Sequence, residues 1–337
     1  MSAERRVGCG TVSFLVLLAV SLLLNLIFWN ALQMKKGANP DMKPPEFPEE
    51  YVAGDPDRDQ KIVLIRLQGL IAREEPGQFS DSMIEDIALQ LRQAREDRRV
   101  KAILLAINSP GGEVDASDVL YHELDRARRV KPIVVYMESV AASGGYYAAM
   151  GASYLMANDL SLTGSIGVIL ETFNVKDLLD KIGVKALTLK SGKMKDILNP
   201  TREMTPEEQA YVQGLINASY DRFVGIVSRE RHLDLEQLKT RWADGRILSG
   251  SMALQAKLID ELGYFEDAVN KCKELGKVKT ARVVRYAPPF RLSALVRGLF
   301  GSEARAKSLL SSDRLPLISG RLYYLAPTVF GSGGFLP

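Results

Sequence analysis

The sequence predicts an α/β domain from residue 61 onward, on three observations. Residues 61–68, 102–108 and 132–137 are apolar runs of strand length, as strands buried on both faces require. The intervening segments 81–97 and 115–129 read as helices, so the two kinds of element alternate. A serine, Ser143, stands between two alanines and two glycines in AASGGYY (141–147), just after the third run and before a helical stretch rich in small residues.

Taken in order, residues 154–158 and 185–190 read as further strands. Residues 143–150, 175–182, 206–231 and 265–275 read as further helices. Before this alternation lies a different kind of sequence. Residues 7–34 carry no charge, and 12–29 are apolar apart from Ser13, Ser21 and Asn25, enough at 1.5 Å per residue to cross a hydrocarbon core of about 30 Å. Residues 1–10 are then a cytoplasmic N-terminus and 11–32 an uncleaved anchor: Arg5 and Arg6 precede the span, Lys35 and Lys36 follow it, and no small-residue cleavage site is evident. Residues 33–60, with Pro40, Pro44, Pro45, Pro48 and Pro56 among acidic residues, read as a linker between the anchor and a domain at 61–285. Residues 286–337 form a basic apolar tail interrupted by Gly301, Pro316 and Pro327, suited to a lipid surface or a neighbouring subunit.

A strand that turns sharply into a helix holds a hydroxyl outward, and glycines after it let a substrate backbone approach, so Ser143 is a candidate nucleophile. A hydroxyl attacks only when a neighbour takes its proton. The two histidines are poor partners: His122 lies in the charged helix DVLYHELDRARR and His232 at the polar end of another, in SRERHLDLEQ. A lysine is the known alternative. Lys190, Lys193 and Lys195 crowd the segment TLKSGKMKDILNP, and each would have to lose its proton well below the free lysine value of about 10.4. Chemistry alone does not choose among them. For the oxyanion, the turn SPGG (109–112) after the second strand offers unobstructed amides: Gly112, or Gly111 beside it, together with Gly144 after the nucleophile.

AASGGYY, TGSIGV (163–168), SGKMKD (191–196), REMTPEE (202–208) and ADGRILSG followed by LIDELG (243–263) together resemble the bacterial signal peptide peptidase A family in its single-domain form. The resemblance spans roughly residues 61–275. It implies a Clp-protease/crotonase-like fold of stacked β-β-α units, Ser143 as nucleophile, Lys195 as general base and Ser165 as the hydroxyl that steadies the lysine. It further implies a serine endopeptidase of the bacterial cytoplasmic membrane, N-terminus inside and catalytic domain outside, that degrades remnant signal peptides and other short or unfolded chains. With one Ser143 and one Lys195 per chain, such a protein is expected to work as a homo-oligomeric ring with sites completed between neighbours.

Other classes fit less well. A formal charge of +3 over 337 residues, with no basic patch interleaved with aromatics, points away from nucleic acid. Cys9 and Cys272 have no metal-ligand spacing, and there is no HExxH or Walker-type loop, so no metal or other cofactor is implied. A crotonase-like acyl-CoA enzyme would lack the anchor and the serine–lysine pair, and an inactive membrane scaffold on the same fold would be expected to lose Ser143 or Lys195.

Overall fold

The computed structural model describes residues 47–73, 83–287 and 322–325, together with Leu18, Ser21, Leu22 and Asn25 as isolated helical positions. The anchor at 11–32 thus lies almost wholly outside the described residues, among which no helix is long and apolar enough to cross a membrane.

Nine strands form one sheet. Its main path runs β1 (Glu49–Gly54), β10 (Arg282–Tyr286), β2 (Lys61–Gln68), β3 (Val100–Ser109), β5 (Ile133–Ala142), β6 (Tyr154–Ala157) and β9 (Glu261–Leu262). From β10 to β9 every pairing on this path is parallel; β1 joins β10 antiparallel. Parallel neighbours need crossovers, and from β2 to β6 these contain α1 (Met83–Glu96), α2 (Val114–Arg128) and α3 (Gly144–Ala149). The sheet forks at β5: residues 134–137 pair with β6, whereas 140–142 pair with β7 (Leu162–Gly164), which in turn pairs with β8 (Ile247–Ser249).

Alternation along the strands divides the core. Val63, Ile65, Leu67, Ile103, Leu105, Ile107, Val135 and Met137 face α1, α2, α3 and the long helix α5 (Pro206–Arg231). Their neighbours Ile62, Leu64, Ala102, Leu104, Ala106 and Val134 face α8 (Phe265–Leu275), where Ala268, Val269 and Cys272 are buried. Burial on both faces explains why these strands read as unbroken apolar runs.

Two sequence expectations need correction. The stretch taken as a linker contains β1, which extends the sheet; its acidic residues are used by the fold. The ammonium of Lys61, with no exposed side-chain surface, is gripped by Glu49 of β1 and lies 2.7 Å from Asp97 after α1. Burial works against the charge on Asp97, but hydrogen bonds from Lys61 and Arg99 outweigh it and hold the carboxyl well below its usual range. The strand expected at 185–190 does not form: that segment is irregular and exposed and pairs with no strand among the described residues. Three short helices complete the described chain: α4 (Lys176–Lys181), α6 (Leu235–Arg241) and α7 (Gly250–Gln255).

Candidate active site

Strand β5 continues past the apolar run as far as Ala142 because β7 supplies it with a second partner, Ala141 pairing with Thr163 and Ala142 with Gly164. The chain then turns at Ser143, with φ 53° and ψ −114°, straight into α3. That backbone is unfavourable for an L-residue by about 1–3 kcal/mol and persists only where the surroundings over-determine it. Here they do. The Ser143 amide donates to the Gly164 carbonyl at 2.8 Å. The following tyrosines are buried and anchored, Tyr146 to the Leu258 carbonyl at 2.7 Å and Tyr147 to Asp118 at 2.5 Å, with Asp118 braced by Arg222. The Ser143 Oγ itself is buried and has no hydrogen-bond partner among the described residues.

The glycine turn meets this serine. Residues Gly111–Glu113 form β4, which is bonded along one side: the Ile71 N–H donates to the Gly111 carbonyl at 2.9 Å, and the Glu113 N–H donates to the Ile71 carbonyl at 2.8 Å. The Gly112 amide between them therefore faces the other way. Gly144, the first residue of α3, has an N–H without an intrahelical acceptor. The two approach closely. A Cβ added to Gly144 would stand 3.0 Å from the Gly112 nitrogen, and one added to Gly111, at φ 107°, would stand 2.7 Å from the Gly144 nitrogen. Only glycines permit this convergence of donors.

A strand of the tail lies against them. Residues Tyr323–Leu325, β11, pair antiparallel with β4, placing Tyr324 opposite Gly112. Val114 donates to the Leu322 carbonyl at 3.2 Å, and on the other edge Tyr323 and Ile169 exchange two hydrogen bonds of 3.0 Å. The ladder alternation makes Gly112 and Tyr324 the next bonded pair, so a main-chain carbonyl occupies the region of the paired glycines. The Tyr324 ring is buried, stacked on Tyr147 at 5.0 Å and packed on Phe223 at 4.7 Å, with its hydroxyl donating to Ser219 at 3.0 Å. Nothing in the broken, basic tail sequence marks these residues as a strand; the pairing depends on partners about two hundred positions away.

The lysines occupy a contrasting region. No residue from 167 to 207 is buried. Lys190 is paired with Asp196 at 2.6 Å and Lys193 with Glu207, whereas Lys195, exposed, has no ion pair among the described residues. Of the three lysines that sequence chemistry left equivalent, Lys190 and Lys193 are thus engaged with carboxylates, and among the described residues Lys195 is not. Ser165 is buried next to Gly164, its backbone at φ 49° and its amide donating to Arg246 at 2.8 Å. Within one chain, then, Ser143, Gly112, Gly144 and Ser165 lie in one neighbourhood, and Lys195 is not hydrogen-bonded to Ser143. His122 and His232 are exposed, and His232 serves as the left-handed cap of α5. Burial pushes the Cys272 thiol up, and among the described residues no group of His, Cys, Asp or Glu could hold a metal ion.

The chain is similar to known proteins. Peptidase family S49 matches residues 125–279, and Clp protease matches residues 73–161. An Enterococcus faecium protein carrying the provisional description signal peptide peptidase SppA is 37% identical over 231 residues, covering 67% of this chain and 67% of its own length. A provisionally described protease of Synechocystis is 41% identical over 209 residues, 62% of this chain and 72% of that one. Protease 4 of Salmonella typhi is 36% identical over 276 residues; the match takes in 81% of this chain but only 43% of that longer protein. At this identity and coverage, the chain belongs to peptidase family S49 and is a serine-type endopeptidase.

Proposed function

We propose that this chain is a membrane-anchored endopeptidase that degrades remnant signal peptides and other short or unfolded chains, with Ser143 as nucleophile and Lys195 as its base. The observation that carries the reading is the Ser143 hydroxyl, buried, unpartnered and held in a strained turn beside the amides of Gly112 and Gly144. The substrate class rests on the relative described as a signal peptide peptidase, and the anchor on the uncharged run 7–34.

A peptide enters as an added strand between β4 and Ile169, in the place that β11 takes, so that main-chain hydrogen bonds hold it without demanding one sequence. Its scissile carbonyl lies at Gly112 and Gly144. Ser143 Oγ bonds to the carbonyl carbon as its proton passes to the neutral Lys195 amine, and the two amides stabilise the oxyanion. Collapse of the intermediate breaks the C–N bond, and the proton on Lys195 goes to the departing amine. Water then attacks the acyl-enzyme, giving one proton to Lys195, which returns it to Ser143 as the carboxylic acid leaves and loses its own proton to solvent. Ser165 is the hydroxyl that steadies the lysine.

Lys195 reaches Ser143 from a neighbouring copy in a closed homo-oligomer. Favouring this is the segment 167–207, which buries nothing within its own chain and exposes Phe173, Leu178, Ile182, Val184, Leu187 and Leu189. The test is the full chain assayed on a fluorogenic peptide beside Ser143→Ala. Turnover by the Ser143→Ala protein at the wild-type rate would end the proposal.

A further inference from the structure

The residue after Lys195 is bound more tightly than anything else in the exposed segment. Lys195 lies in a chain of tight turns, Lys195 donating to Gly192 at 3.1 Å and Asn199 to Asp196 at 3.1 Å, with Leu198 at φ 66°. Asp196 receives Lys190 on one oxygen at 2.6 Å and the fork of Arg202 on both, each at 2.8 Å; Arg202 also reaches the Asp196 main-chain carbonyl at 3.1 Å. The other edge of the same guanidinium holds Glu208 at 2.8 and 2.5 Å and the Glu203 carbonyl at 2.9 Å.

Glu208 belongs to the body of the protein. It is the first buried residue after 166, and it closes the capping box of α5, receiving the Thr205 amide at 2.9 Å while Thr205 receives the Glu208 amide at 3.3 Å. The far part of α5 is fixed in the core by Phe223, Val224 and Val227. The hydrogen bonds of Arg202 hold Glu208 down to about 2, and those of Arg202 and Lys190 keep the Asp196 carboxyl well below its ordinary range, so the cluster stays charged at neutral pH.

We infer that Arg202 is a positioning residue for the lysine base: its planar fork joins Asp196, the neighbour of Lys195, to the N-terminal turn of α5. The inference rests on the reading of Lys195 as the base. A segment that buries nothing has no packing of its own to fix an amine, and a displacement of about 1 Å at a reacting group costs on the order of a hundred-fold in rate. Lysine at 202 would keep the charge but not the two-sided geometry.

The experiment compares full-chain Arg202→Ala and Arg202→Lys with wild type and with Lys195→Ala, measuring kcat, KM, subunit assembly and melting. Arg202→Ala is expected to lose about a hundred-fold in kcat with KM within about three-fold. Arg202→Lys should fall between it and wild type, and added guanidinium ion should restore part of the Arg202→Ala loss. Wild-type kcat in either variant overturns the inference, as does a loss that guanidinium does not relieve and that tracks loss of assembly. Should Arg202→Ala fail to fold, the kcat of Arg202→Lys decides alone. Activity in Lys195→Ala would instead refute the base assignment itself, which separates the two failures.

Discussion

The serine side and the lysine side of this molecule are built by opposite means. Around Ser143 almost everything is core: parallel strands on both sides of β5, buried tyrosines behind the turn, and the serine amide held by the Gly164 carbonyl. Around Lys195 nothing is buried, and order comes from ion pairs, turns and a single arginine fork. The first region can hold strained geometry unaided, because packing and hydrogen bonds over-determine it. The second has apolar side chains in water and a cluster of ion pairs, and it borrows its order from the start of α5.

The sharpest way to break this comparison is to remove one residue from each region. Ser143→Ala and Lys195→Ala should each reduce turnover on a fluorogenic peptide by about a thousand-fold or more, while Lys193→Ala should retain it. Mixed and co-assembled, the two dead proteins should regain activity if sites are shared between chains; a mixture that stays dead would mean each chain builds its own site. Next in size is the exposed segment. Leu187→Asp with Leu189→Asp should dissociate the assembly in ultracentrifugation and lower activity about ten-fold or more, since forcing carboxylates into an apolar contact costs several kcal/mol. The melting of the domain should barely change, because neither leucine is buried. Unaltered assembly would show that the surface has another purpose.

A smaller effect concerns the groove on the serine side. Burying a large apolar side chain contributes about 1.5–3 kcal/mol, so Tyr324→Ala should weaken the hold of β11 and lower KM for a short peptide about ten-fold. An unchanged KM would mean that β11 does not compete with substrate. The last effect is on stability alone and leaves turnover untouched. The Asp97 carboxyl has its folded pKa depressed, so its contribution to stability is present above the free value of about 3.9 and is lost as pH falls through the lower folded value. Asp97→Asn should therefore cost about 1–3 kcal/mol in urea unfolding at pH 7, with the difference from wild type shrinking as the pH drops below about 4. A difference independent of pH would place the effect in packing.

Much of the serine side was legible in the sequence, and the reason is local. Apolar runs give β2, β3 and β5, and alanines and glycines around Ser143 specify the turn before any tertiary contact is known. Helix α5 is bounded by Thr205-Pro206 and a capping box, and its extent was readable to the residue. What sequence could not supply was pairing over distance. Strand β1 hid among prolines and acids because its value to the fold lies in Lys61 and β10; β11 hid because three residues of tail become a strand only beside β4. The three lysines looked alike until their carboxylates were located.

The backbone at Ser143 carries one more implication, for the balance between endurance and activity. Its dihedral pair is the mirror image of an ordinary extended conformation, which glycine enters as easily as the extended form itself and an L-residue does not. Glycine at this position would relax the turn, and the relaxed chain would fold more firmly than the one with a side chain there. The side chain at 143 is thus carried at a cost in stability, at a site where buried tyrosines and paired strands are rigid enough to absorb it.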